Sequence, residues 1–155
     1  MRRLFVIATL LVLVACSPGM YTGGGWAESA GPGGSRASFG FDIECCDADS
    51  FGHFNLADEG WTVPVEISGH VIDFGNLGDF GHNCSYYALL EYVSSNSDYP
   101  GNGHAVVCFG EELPETETTA DAYGEVWISV QSGPFEGYEN FGPVFGNVQS
   151  HHCEG

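Results

Sequence analysis

The sequence has no lysine, and its only basic side chains are three arginines, Arg2, Arg3 and Arg36. Acidic residues number 21, which gives the chain of 155 residues a formal net charge of −18. A protein that binds nucleic acid needs cationic side chains to replace the counterions of the phosphates, so this composition argues against a nucleic-acid partner. Such acidity is typical of adaptation to a saline habitat, and the alternative is capture of calcium or of a cationic partner.

The sequence also lacks any stripe of apolar residues at helical spacing. Apolar and polar residues alternate instead, as at Ala37, Phe39, Phe41 and Ile43, and this is the period of a half-buried strand. About eight short segments of this kind predict an all-β domain over residues 36–155, either an antiparallel β-sandwich or a barrel. The predicted strands lie near residues 37–43, 52–56, 61–67, 70–74, 86–93, 104–109, 124–131 and 143–150.

Three local signals refine this prediction. Pro64 falls inside the predicted strand 61–67, and because proline cannot donate to a β-ladder, we expect an edge strand or a bulge there. Ser68 and Gly69 predict a turn between two strands. Residues 111–121 are acidic and rich in threonine, which predicts a solvated loop.

The apolar run at the N-terminus is too short to span a membrane. Residues 4–14 are apolar apart from Thr9, and at ~1.5 Å per residue they cover only ~17 Å of a ~30 Å hydrocarbon core. A run of this length after two arginines is typical of a signal peptide, here residues 1–15.

The sequence Leu13-Val14-Ala15-Cys16 resembles the lipobox of bacterial lipoproteins. That resemblance implies cleavage before Cys16 and its fatty acylation, so we expect a lipid-bilayer anchor at the outer membrane or cell surface; the alternative is a plain secretory signal.

Residues 16–35 are rich in glycine, serine and proline and have few apolar side chains. This composition predicts a flexible tether between Cys16 and the β-domain, with a short strand around Trp26 as the one exception.

Several short motifs follow one another over roughly residues 23–152: Gly25-Trp26, Ala37-Ser38-Phe39-Gly40-Phe41, Gly52-His53-Phe54, the turn at 96–103, and Gly146-Asn147-Val148-Gln149-Ser150-His151. In this order they resemble the post-COAP domain family of secreted, β-rich bacterial modules. The resemblance implies the fold and an exported location, and it carries no catalytic activity with it.

Five cysteines follow Cys16, and export permits disulfide bonds between them. Cys84 and Cys108 flank a predicted hairpin and are the first expected pair. Cys153 is expected to pair with Cys45 or Cys46, which cannot easily bond each other because adjacent side chains of a strand point to opposite faces.

Candidate metal ligands are scattered, and the sequence has no C-x-x-C motif. We expect no cofactor, because Asp47, Asp49, Asn96 and Asp98 lie in predicted loops where they are expected to cap their own turns; the alternative is that they hold calcium. His151, next to His152 and Cys153, is the candidate ligand for a softer metal ion.

Signals of catalysis are also lacking. The sequence has neither a Gly-x-Ser-x-Gly elbow nor a glycine-rich phosphate loop before a helix.

Aromatic residues, Trp127 and Tyr138 among them, are candidates for a ligand platform, although aromatics can also simply fill a thin core. The sequence therefore predicts a non-enzymatic cell-surface lipoprotein, a structural or adhesion-like module that binds carbohydrate or protein. The alternative is a periplasmic binding protein that depends on calcium or a transition metal.

Overall fold

A computed structural model describes residues 19–45, 51–76, 86–109 and 122–151. The described chain forms eight strands and contains no helix. The predicted signal peptide, Cys16 and the acidic segment 111–121 lie outside the described residues. In chain order the strands are β1 (Gly19–Glu28), β2 (Arg36–Cys45), β3 (Phe51–Asp58), β4 (Val65–Asn76), β5 (Tyr86–Ser94), β6 (Asn102–Phe109), β7 (Ala122–Val130) and β8 (Glu139–His151).

Each strand pairs antiparallel with the next one along the chain, and β8 pairs with β1, so the sheet closes into a barrel. This confirms the predicted all-β fold of about eight strands and decides between its two forms in favour of the barrel. Closure leaves every strand with a neighbour on both sides, which removes the exposed edges that a sandwich would keep.

Alternation along the strands fills the barrel with apolar side chains. On β2, Ala37, Phe39, Phe41 and Ile43 are buried, as their spacing predicts, while the residues between them face outward. An eight-stranded barrel is just wide enough for side chains to fill it. Its largest fully buried side chains are Tyr92, Phe54, Phe74, Ile43, Ile67 and Leu90.

The short strand expected around Trp26 is confirmed but extends over Gly19–Glu28, where it forms β1 and closes the barrel, so the prediction of a flexible tether is wrong for the rest of this segment. Gly25 lies opposite Gly146 at the seam between β1 and β8. A Cβ at Gly25 would lie 2.5 Å from the carbonyl oxygen of Phe145, and one at Gly146 would clash with the carbonyl of Gly24. The glycines that suggest a flexible tether are here required by the close approach of two backbones.

Two further predictions about β4 are wrong. The strand begins at Val65, so Pro64 precedes it and disturbs no ladder. Ser68 and Gly69 are not a turn, because both pair with β3 on one side and β5 on the other. A Cβ at Gly69 would lie 3.3 Å from the carbonyl oxygen of Glu91, so this glycine reflects tight strand packing. The irregularity of β4 lies further on, where the register with β5 shifts between Val71 and Asp73.

Four described loops join β1 to β2, β3 to β4, β5 to β6 and β7 to β8, and therefore lie at one end of the barrel, here called the capped end. Phe135 and Tyr138, from the last of these loops, are buried within the core. Trp61, from the second loop, packs edge-on against Tyr138 with 5.8 Å between ring centroids. Aromatic rings thus close this end of the barrel. Among the described residues, no helix is long and apolar enough to cross a membrane.

Candidate functional site

A buried carboxylate organises the capped end. Asp58 ends β3, and its side chain is 0% exposed. It accepts three hydrogen bonds, from Ser29 Oγ, from the backbone N–H of Gly60 and from the hydroxyl of Tyr138, all at 2.9 Å. These donors come from three different loops, so Asp58 ties together the β1–β2, β3–β4 and β7–β8 connections. We call Asp58, Ser29, Gly60 and Tyr138 the Asp58 cluster.

Burial governs the chemistry of this cluster. It raises the pKa of Tyr138 far above its ordinary value of 10.0, and the nearby Asp58 raises it further. Tyr138 is therefore a neutral hydrogen-bond donor rather than a proton-transfer group. It is also only 5% exposed, so the prediction that it belongs to an exposed ligand platform is wrong. The alternative given for the aromatic residues applies to Tyr138: its ring fills the core at the capped end, and its hydroxyl donates to the buried Asp58.

Trp127 lies where the sequence places it. Val126, Ile128 and Val130 point into the core, so Trp127 faces outward from β7. Its neighbour across the strands is Phe141 on β8, whose surface is 47% exposed.

Further rings extend this surface along β8. Pro143 and Phe145 follow Phe141 at alternate positions, so all three face outward. Phe145 stacks on Trp26 of β1 with 4.3 Å between ring centroids, and the guanidinium of Arg36 lies 3.9 Å from the centre of the Trp26 ring. The result is a continuous apolar surface over three strands. We call it the aromatic strip: Trp127, Phe141, Pro143, Phe145 and Trp26.

A second set of side chains lines up across the opposite part of the outer surface. Strand register places five residues directly beside one another on β2 to β6, and imidazoles and carboxylates are mixed among them. All five are exposed. We call this set the histidine row, in spatial order Asp42, His53, His70, Glu91 and His104.

Two close pairs form within the histidine row. Nδ1 of His53 lies 3.7 Å from Oδ2 of Asp42, and Nε2 of His104 lies 3.7 Å from Oε1 of Glu91. The other ring nitrogen of His104, Nδ1, lies 3.3 Å from Oγ of Ser132. A groove of about 410 Å³ runs along this surface, and His53, His70, Glu91 and His104 are among the residues that line it.

Sequence reasoning missed the histidine row because it depends on register. Its members come from five strands, and nothing in the sequence alone fixes which residues of two strands stand opposite each other. One signal was available, since each histidine occupies a polar position in the alternation of its strand.

Of the two candidate calcium ligands that the structure describes, Asn96 and Asp98, the first caps a turn with its side chain. Oδ1 of Asn96 accepts a hydrogen bond from the backbone N–H of Asp98 at 3.0 Å, and its Nδ2 donates to the carbonyl of Pro64 at 2.9 Å. Asp47 and Asp49 lie outside the described residues, as does the side chain of His151, although its backbone ends β8. Over the described part of the chain, no three His, Cys, Asp or Glu side chains are already placed to hold a metal ion.

Cys108 is the one cysteine whose side chain the structure describes. It lies on β6, is buried and is disulfide-bonded. The expected partner, Cys84, lies outside the described residues together with Cys46 and Cys153, and so does the side chain of Cys45. The pairings Cys84–Cys108 and Cys45 or Cys46 with Cys153 therefore stay predictions.

Comparison with known proteins adds no relative. No family model, no curated protein and no solved structure matches the chain.

Proposed function

We propose that this protein is a non-enzymatic, lipid-anchored binding module at the cell surface, and that it holds a neutral carbohydrate against the aromatic strip. The observation that carries the proposal is the outward position of Trp127 and Phe141, side by side on β7 and β8. Phe141 is exposed and Trp127 is half-buried. Rings of this size normally lie in the core, and apolar patches on a protein surface mark binding sites.

The interior of the barrel supports an exterior site. Its core positions are occupied by large side chains such as Tyr92, Phe54 and Phe74, all less than 2% exposed. A barrel of eight strands filled in this way leaves its outer surface for ligands.

Polar side chains beside the aromatic strip support a sugar rather than a purely apolar ligand. Glu125 lies opposite Pro143, and Glu139 lies opposite Ser129, at the borders of the strip. Binding sites combine apolar and aromatic surface with a few polar groups that orient the ligand, and carboxylates accept hydrogen bonds from hydroxyls. Because the chain carries a formal charge of −18, it repels anionic polymers, and this favours a neutral polysaccharide.

The anchor follows from the lipobox-like sequence that ends at Cys16. Only Ser17 and Pro18 separate Cys16 from the start of β1 at Gly19. Three residue steps reach at most about 11 Å, so an acylated Cys16 would hold the barrel close to the bilayer. We therefore expect the capped end, where β1 finishes, to face away from the membrane.

Retention on insoluble neutral polysaccharides, such as a β-glucan and a starch, tests the carbohydrate site. We expect the unmodified chain to be retained by at least one of them, and Trp127→Ala or Phe141→Ala to weaken retention about tenfold or more, because central aromatic anchors dominate binding. Tyr99→Ala is the matched control, since Tyr99 is 43% exposed in the β5–β6 loop and lies outside the strip. Equal retention of all variants, or no retention of the unmodified chain, would overturn the carbohydrate site.

Cell fractionation tests the anchor separately. We expect the unmodified chain in the membrane fraction and Cys16→Ala in the soluble fraction, because stable anchoring requires the acyl chains. Cys108→Ala is a poor control because that cysteine is buried, so Ser17→Ala serves instead. Unchanged membrane partitioning of Cys16→Ala would refute lipidation at this residue.

A further inference from the structure

Three members of the histidine row stand on adjacent strands in the order imidazole, carboxylate, imidazole. His70 on β4 is the Cα partner of Glu91 on β5, which in turn is the partner of His104 on β6. Directly opposed residues of neighbouring strands have Cβ atoms about 4.5–5.5 Å apart. Two histidines that flank one carboxylate at this spacing can reach a common point above it.

The distance between Glu91 and His104 already fits two ligands of one ion. Nε2 of His104 and Oε1 of Glu91 are 3.7 Å apart. Nitrogen and oxygen ligands bind zinc at about 2.0–2.2 Å in tetrahedral geometry, which separates neighbouring ligand atoms by about 3.4 Å. Closing the remaining gap needs only a small rotation of either exposed side chain.

Ser132 supplies the contact that a metal-binding histidine usually has on its second nitrogen. Nδ1 of His104 lies 3.3 Å from Ser132 Oγ, which also accepts the backbone N–H of His104 at 3.0 Å. When Nδ1–H donates to Ser132, the lone pair of Nε2 points toward Glu91. Two acceptors then face each other, and a cation between them stabilises the arrangement.

We propose that His70, Glu91 and His104 bind a divalent transition-metal ion of the zinc or copper type in the groove on the outer face of β4 to β6. Imidazole nitrogen is a preferred ligand of these ions, whereas calcium requires six to eight oxygen ligands. The site is not preformed: Glu91 and His104 are in place, and His70 joins them by rotating its exposed side chain. The negative charge of the chain raises the local concentration of cations at such a groove.

His53 lies outside the ligand set because it stands on β3, two strands from Glu91, with His70 between them. Nδ1 of His53 lies 3.7 Å from Asp42, on the side away from Glu91. It therefore provides a matched control, because it is an exposed histidine of the same row on the neighbouring strand.

Calorimetric titration of the full chain with zinc chloride tests the proposal. We expect one zinc ion per chain and an increase in Kd of at least about tenfold in His70→Ala and in His104→Ala, since even residues that only orient a metal ligand contribute about 10- to 100-fold to affinity. His53→Ala is expected to bind like the unmodified chain, and Ser132→Ala to bind more weakly than it. Calcium chloride, titrated in the same way, is expected to give no binding at this site.

A competing site at the C-terminus must be separated from this one, because His151, His152 and Cys153 also carry metal-binding groups. The double variant His151→Ala/His152→Ala is expected to keep the zinc affinity of the unmodified chain. The proposal is overturned if that variant loses the affinity, if His70→Ala and His104→Ala keep it, or if no zinc binds. His104→Gln keeps a polar side chain at the same exposed position, and its circular dichroism spectrum is expected to match that of the unmodified chain. A loss of zinc affinity in this variant is then not a loss of fold. The outcome of the zinc titration does not depend on polysaccharide binding, because the aromatic strip lies on other strands.

Discussion

The Asp58 cluster and the histidine row are two polar groups built by the same sheet, and they differ mainly in their access to water. In both, residues far apart in sequence meet because strands or loops bring them together. Asp58 is fully buried and accepts three hydrogen bonds at 2.9 Å. In the row, the side chains of Glu91 and His104 are 59% and 52% exposed, and their closest atoms are 3.7 Å apart.

Burial decides what each group can do. A buried hydrogen-bond partner that is lost leaves other buried polar atoms unsatisfied, which is costly. An exposed ion pair is screened by water and is worth about 0–1 kcal/mol. The cluster therefore contributes to stability and fixes three loops, whereas the row can change its partners at little cost and is free to bind a ligand.

The largest expected effect is that of Asp58→Ala. It removes the common acceptor of Ser29, Gly60 and Tyr138. A buried donor left unsatisfied costs about 1–3 kcal/mol, and the half-buried Ser29 costs less than Gly60 and Tyr138, so we expect a loss of about 3–5 kcal/mol of unfolding free energy. The measurement is urea-induced unfolding followed by fluorescence. Asp58→Asn keeps one acceptor oxygen and is expected to lose less.

Asp42→Ala is the matched control in the histidine row. Asp42 is a strand carboxylate beside a histidine, but its side chain is 67% exposed, so we expect a change within about 0.5 kcal/mol. Equal losses in Asp58→Ala and Asp42→Ala would break the distinction between the two groups.

The sequence predicts the strands well where one face is apolar and fails where glycine or register decides. The alternation of Ala37, Phe39, Phe41 and Ile43 is enough to predict β2 and its buried face. Of β1 the sequence predicts only a short strand around Trp26, because Gly23, Gly24 and Gly25 have no side chains to alternate, and their role in closing the barrel depends on the distant β8.

The same distinction applies to the candidate sites. The outward position of Trp127 follows from its neighbours on one strand, so the sequence predicts it correctly. The burial of Tyr138 depends on Asp58, which is 80 residues away. The histidine row depends on four strand registers at once. Local alternation can be read from a sequence, whereas contacts between distant strands require the fold.

A smaller effect, that of Tyr138→Phe, sharpens the comparison within the cluster. The substitution keeps the ring that closes the capped end and removes only the hydroxyl that donates to Asp58. We expect a loss of about 1–2 kcal/mol of unfolding free energy at neutral pH, because Asp58 keeps its other two donors. A loss as large as that of Asp58→Ala would mean that removing the hydroxyl also displaces the ring, so that more than one hydrogen bond is lost.

The loss of unfolding free energy in Tyr138→Phe should become smaller in alkaline solution. Burial and Asp58 raise the pKa of Tyr138 in the folded chain, whereas a tyrosine in the unfolded chain ionises near pH 10. Above about pH 10 the unfolded state therefore binds fewer protons than the folded state, and the unfolding free energy falls as the pH rises. Tyr21, whose pKa burial and Tyr86 raise to about 12, adds to this fall in both proteins. The Tyr138→Phe variant lacks only the contribution of Tyr138 to this fall. The difference in unfolding free energy between the unmodified chain and the variant should therefore narrow between about pH 9 and pH 11. A constant difference over that range, measured by urea unfolding, would show that the Tyr138 hydroxyl ionises as freely in the barrel as in water.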